Sequence, residues 1–188
     1  FRAKGDLGDP DVYPLPPAAV GTLQHRITWR TLLLDLWLLF FRIIPPYPKV
    51  RTGLYAVGRP DADSPVLVTG NFDLTVRRLA QAIDGKVDAW VLVADSAGIN
   101  VWCAAGKGTF GTAELVSRIK DSGLGNIVSH GRIIVPQLGA VGVAAHEVKA
   151  QTGFRVVYGP VDAGDLPAFL AAGRTASPVM RRKEFPLF

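Results

Sequence analysis

The sequence predicts an α/β fold, a mainly parallel sheet flanked by helices, and three observations carry that prediction. Short runs that are apolar at every position alternate with segments of helical periodicity, as expected for strands covered on both faces. Several of the residues that leave those runs are small or Gly. The length of 188 residues, with 48% hydrophobic and 20% charged side chains, suits one compact domain with flanking segments rather than a disordered chain.

Residues 1–26 carry Pro10, Pro14, Pro16 and Pro17, which remove backbone donors and favour extended conformations, so they read as a Pro-rich lead-in. The most lipid-like stretch, residues 27–44, is interrupted by Arg30, Asp35 and Arg42, whereas a membrane span needs about 20 predominantly apolar residues. It is expected to form a buried or interfacial amphipathic helix, with a short membrane span as the alternative. Pro45, Pro46 and Pro48 stop it, so residues 27–48 form helix and linker. Residues 49–175 make the α/β domain and 176–188 a basic tail with Arg181, Arg182 and Lys183.

Within the domain, residues 66–69 form a strand, followed by a helix over 74–83 whose Leu74, Leu79 and Ile83 share a face. Residues 89–94 form the next strand. Thr112 is expected to cap a helix running through Lys120, with Glu114 favourable in its first turn and Gly123 at its end. Strand 132–135, helix 142–152 and strand 154–158 follow, and Asp165 caps a short last helix closed by Gly173.

Ligands of parallel α/β sheets lie beyond the carboxyl ends of the strands. That rule selects Thr69-Gly70-Asn71, Asp95-Ser96-Ala97-Gly98, Pro136-Gln137-Leu138-Gly139 and Tyr158-Gly159-Pro160. The small residues among them let a large flat ligand approach the backbone, although each taken singly is an ordinary turn residue.

Several functions are disfavoured. The net charge is 21 − 16 = +5, but it is spread thinly, with no basic stripe interleaved with aromatics, so no nucleic-acid partner is expected. A single cysteine cannot make an intramolecular disulfide, a Cys-rich zinc site or a four-thiolate iron-sulfur cluster, so the chain is expected to hold no cluster of its own. His25, His130 and His146 have no metal-ligand spacing, and no Ser sits in a G-x-S-x-G elbow. Gly106-Lys107-Gly108-Thr109-Phe110-Gly111 matches G-x-G-x-x-G, but it does not directly follow a first strand and lacks the acidic residue at the end of the next one. No secretory signal is evident, and a start at Phe1 suggests a fragment or processed form.

Cys103 stands apart. A lone Cys is by type a small buried hydrophobe. This one lies within Asn100-Val101-Trp102-Cys103-Ala104-Ala105-Gly106-Lys107, just past a strand exit and before a helix, where its thiolate could ligate a metal.

Those eight residues resemble the cap-helix signature of the mercury-methylating corrinoid protein family, HgcA. The likeness extends over roughly residues 50–188, through the stretches 64–71, 98–112, 136–139 and 154–173. A more distant resemblance is to the large subunit of the corrinoid iron-sulfur protein of acetyl-CoA metabolism, which carries its own cluster on an added Cys-rich domain.

The resemblance implies a Rossmann-like domain holding a cobamide in its base-off form, with the Cys103 thiolate axial to cobalt on a short cap helix. A soft, electron-rich ligand there would push electron density toward a methyl group on the opposite face. The reaction implied is passage of methyl from a folate-type donor through the cobamide to Hg(II), forming methylmercury. The implied partner is a ferredoxin-like protein with two 4Fe-4S clusters, HgcB, as reductant and mercury carrier. A C-terminal membrane domain beyond this chain would place it on the cytoplasmic side of the cell membrane. Because Hg(II) is thiophilic, Cys103 is expected to lie beneath the corrin, with mercury arriving from the other face. Cys103 is then the catalytic and metal-ligating residue. Candidate cofactor contacts are Thr69, Asn71, Asp95, Asn100, Trp102, Cys103, Ala104, Gly106, Lys107, Gln137, Gly139 and Tyr158. The alternatives left open are a methyl carrier of the acetyl-CoA pathway and a non-enzymatic cobamide-binding module.

Overall fold

The computed structural model describes residues 15–23, 29, 33, 36 and 48–182. Six strands form one sheet: β1 (Ala19–Thr22), β2 (Gly53–Val57), β3 (Val66–Gly70), β4 (Ala89–Ala94), β5 (Arg132–Val135) and β6 (Arg155–Tyr158), in the order β1-β2-β4-β3-β5-β6. Four neighbouring pairs are parallel and only β2 with β4 is antiparallel, in agreement with a mainly parallel α/β sheet. Five helices lie wholly within the described residues: α1 (Asp73–Ile83), α2 (Val101–Lys107), α3 (Thr112–Asp121), α4 (Ala145–Thr152) and α5 (Leu166–Ala171).

The two-residue period of the strands divides the core. Leu54, Ala56, Val66, Val68, Trp90, Leu92 and Ala94 point to one face, where they meet Phe110 and the buried sides of α2, α3 and α4. Tyr55, Val57, Leu67, Val91 and Val93 point to the other, against Val76, Leu79 and Ile83 of α1 and Phe169 of α5. Phe110 and Phe169 are 1% and 0% exposed, and burial of a side chain of this kind stabilises by roughly 1.5–3 kcal/mol. Trp90 is buried with its polar end satisfied, since its indole N–H donates to the Asp61 carbonyl at 2.9 Å.

The structure differs from the sequence reading at several ends. The lead-in contributes a strand: β1 pairs parallel with β2, and the Leu23 amide donates to the Ala56 carbonyl at 2.8 Å. Thr112 is not the cap of α3. Gly111 occupies that position, and Thr112 Oγ1 instead accepts the Ala144 amide at 2.8 Å, tying the start of α3 to the residue before α4. The helix expected from residue 142 begins at Ala145, because residues 137–142 form a 3-10 turn and its exit. Asp165 sits at the N-cap of α5 but makes no capping bond, while Asp162 accepts the Gly164 amide at 3.1 Å one turn earlier.

The helix expected over residues 27–44 lies outside the described residues except at Trp29, Leu33 and Leu36, which are helical and exposed. Residues 183–188 of the basic tail also lie outside them. No helix of the described residues is long and apolar enough to cross a membrane.

Candidate functional site

The chain winds from β3 through α1 to β4 in one direction and from β5 to β6 in the other. The order reverses between β3 and β5, where a doubly wound sheet opens a crevice at its carboxyl edge. Pairing between these strands is narrow, with a single matched position, Leu67 opposite Ile134. A cavity of about 440 Å³ lies there. Its wall is largely apolar, from Leu67 and Val68 on one side to Ile134, Leu138 and Leu166 on the other, with Thr69, Thr75, Arg78, Asn100 and Asp162 as polar groups.

One rim of the crevice is the start of α2, and the loop that delivers it is tightly wired. Residues 96–99 form a turn in which the Ile99 amide donates to the Ser96 carbonyl at 3.1 Å, with Ala97 at φ +56° and Gly98 at φ +74°. Two central residues with positive φ define the I′ geometry, which suits Gly and strains Ala. The turn's inner amides are taken by side chains. Asn71 Oδ1 accepts from the amides of Ser96 at 3.0 Å and Gly98 at 3.1 Å, and Asp95 Oδ1 accepts the Ala97 amide at 2.9 Å. Asn71 Nδ2 donates to Asp95 Oδ1 at 2.9 Å, joining the two. From outside, the Asp95 amide donates to Glu114 Oε1 at 2.8 Å, and Glu114 pairs with Arg118 at 3.1 Å. Close packing finishes the arrangement: a Cβ on Gly70 would stand 2.6 Å from Ser96 Oγ, and one on Gly98 would stand 2.7 Å from Lys49 Cε.

Asn100 then caps α2. Its Oδ1 accepts the Cys103 amide at 2.8 Å, and its carbonyl accepts the Ala104 amide at 3.0 Å. Gly108, at φ +78°, closes the helix in the left-handed conformation. Val101, Ala104 and Ala105 form the buried stripe, which leaves Trp102, Cys103, Gly106 and Lys107 on the open face. Trp102 is 54% exposed and Cys103 is a free, exposed thiol.

The sequence-selected residues therefore fall into three groups. Thr69, Asn100 and Trp102 line the cavity. Cys103, Gly106 and Lys107 share the open face of α2 beside it, and a Cβ on Gly106 would meet nothing within 4 Å. The rest support these from behind or alongside. Asn71 and Asp95 build the turn; Ala104 is buried in the core; Gly139 packs on Phe110, which a Cβ there would meet at 2.9 Å. Tyr158 donates from its hydroxyl to the Val143 carbonyl at 2.7 Å, and burial raises its pKa above the ordinary value. Gln137 is half-buried in the 3-10 turn after β5.

The sequence reading missed Thr75, Arg78, Val161 and Asp162, which also line the cavity. Thr75 and Arg78 lie three apart on α1, a spacing that marks a shared helix face but not which face meets the crevice. Among the described residues, no group of three or more His, Cys, Asp or Glu side chains could hold a metal ion. Cys103 is the one soft donor beside this largely apolar crevice, and a single protein ligand of that kind would suit a metal carried in a large macrocycle.

The chain is similar to known proteins. The family described as CO dehydrogenase/acetyl-CoA synthase delta subunit, CdhD, matches residues 45–170. The chain is 36% identical over 124 residues to the acetyl-CoA decarbonylase/synthase complex subunit gamma of Methanopyrus kandleri, covering 65% of this chain and 26% of that one. It is 34% identical over 125 residues to the corrinoid/iron-sulfur protein large subunit of Moorella thermoacetica, covering 66% and 28% respectively. It thus spans about a quarter of the length of these curated relatives. Their names carry corrinoid and acetyl-CoA chemistry and do not mention mercury. With a crevice at the switch point and a match running from β2 to α5, the chain belongs to the CdhD family.

Proposed function

We propose that this domain binds a cobamide over the β3/β5 crevice and serves methyl transfer. The observation that carries the reading is the exposed Cys103 thiol on a short, capped helix whose first residues form the crevice rim. Membership of a family with corrinoid-named relatives supports it. Bound there, the cobalt of a cobamide supplies a centre that takes up and releases a methyl group.

The chain's own residues hold and orient. Cys103 offers the soft donor. Asn100 fixes the first turn of α2, so that the sulfur is presented from a defined helix face rather than from a loose loop. Trp102 gives the rim a large aromatic surface, and the apolar walls from Leu67 to Leu166 keep water from whatever part of the ligand enters.

The relatives' names, with their corrinoid and acetyl-CoA terms, favour the reading as a methyl carrier of the acetyl-CoA pathway. A second reading, transfer to Hg(II), is favoured by one feature of this chain, Cys103 in its Asn100–Trp102 setting. A folate-type donor, an HgcB-like ferredoxin partner and attachment to the cytoplasmic face of a membrane belong to that reading.

Reconstitution of the 188-residue chain with methylcobalamin tests both. The wild type should show an absorption change on binding that Cys103→Ala lacks, and only the wild type should pass methyl to a Hg(II)-thiol complex. Binding and methylation without transfer to mercury would favour the acetyl-CoA reading. An identical spectrum in both proteins would remove Cys103 from the cobalt, and absence of binding would overturn the proposal.

A further inference from the structure

We infer that Asn71 is a positioning residue that sets α2, and with it Cys103, through the turn at residues 96–99. The inference rests on Cys103 being the residue that faces the cofactor. Asn71 is 5% exposed and its carboxamide is engaged at both ends: the oxygen accepts from the Ser96 and Gly98 amides and stands 3.0 Å from Ser96 Oγ, while the nitrogen donates to Asp95. Only an amide meets both demands. A carboxylate at residue 71 would face the Asp95 carboxylate across 2.9 Å, and an apolar isostere would leave buried amides without acceptors.

The turn requires such a brace. Ala97 holds a left-handed conformation that a non-glycine residue keeps only when its surroundings impose it. Asn71 clamps the amides on either side of it, and Asp95, itself held by Asn71, takes the amide of Ala97. Ser96 is fully buried and fills the space that a side chain on Gly70 would need. Two residues beyond Gly98, Asn100 caps the helix at the Cys103 amide. A side chain at the exit of β3 thus fixes a sulfur that leaves the sheet from β4.

The test compares the 188-residue chain with Asn71→Ala, with Asn71→Asp and with Ile83→Ala as a distant core variant matched for global stability loss. Amide hydrogen exchange at Cys103 and Ala104 and the rate of Cys103 alkylation by iodoacetamide are read without cofactor. Asn71→Ala should speed Cys103 exchange by roughly tenfold beyond the matched control and change the alkylation rate, and Asn71→Asp, whose carboxylate would face that of Asp95, should do the same. Should Asn71→Ala fail to fold, Asn71→Asp must raise the exchange beyond the matched control. Exchange at Cys103 within about twofold of the control in every variant overturns the inference. A cobalamin spectrum that ignores Cys103, measured beside an intact exchange response, would instead overturn the cofactor reading and leave the positioning role standing.

Discussion

The side-chain oxygen of Asn100 accepts the backbone amide of Cys103 at 2.8 Å, so the only sulfur of any cysteine in the chain sits in the first turn of a helix locked by the residue three before it. A helix of seven residues does not sustain itself in water, and α2 depends on this cap and on its buried stripe. Asn100→Ala should therefore lower stability by about 1 kcal/mol in urea unfolding, with exchange at the Cys103 amide rising more than at amides of α3.

Cys103→Ala should change unfolding free energy by less than about 0.5 kcal/mol, because the thiol is exposed and packs no core. Its neighbour behaves differently. Ala104 is 0% exposed, so Ala104→Leu should destabilise by about 1–3 kcal/mol through overpacking, read by the same denaturation experiment.

Ala97→Gly should raise stability by up to about 1 kcal/mol, since glycine escapes the steric penalty at φ +56° and loses part of that gain to its freer unfolded state. A fall in the unfolding midpoint would show that the Ala97 methyl makes a compensating contact.

Tyr55 and Tyr158 both have pKa values raised above 10.0 by burial, and their hydroxyls donate to the carbonyls of Arg51 and Val143. The folded state thus favours the neutral phenol. Its contribution is complete below the unfolded value near pH 10 and is lost as pH climbs through the higher folded value. Stability measured from pH 9 to 12 should fall less steeply in Tyr55→Phe/Tyr158→Phe than in the wild type.

Much of the architecture was legible because β3, β4 and β5 are buried along nearly their whole length, and continuous apolar runs mark such strands clearly. β1 and β2 were not. Ala19–Thr22 is a short, half-buried edge strand after a proline-rich stretch, and Gly53–Val57 opens on glycine and runs against its neighbour β4, outside the alternating β-α pattern. The exposed place of Cys103 was not read from the residues, which set it just before a helix; a helix carrying it came from the resemblance alone. The brace behind it could not be read, because Asn71 and Ser96 are 25 residues apart and meet only after β3 and β4 have paired. Thr112 looked like a cap by type, yet its hydroxyl was drawn to a different helix by tertiary contact.

The lone ladder position joining Leu67 to Ile134 makes the middle of the sheet a seam. Whatever flat molecule wedges into the mouth of that seam touches both halves at once and acts as mortar between them. Loading should accordingly tighten the whole domain, raising its melting temperature and slowing exchange at amides of β3 and β5 that never contact the guest.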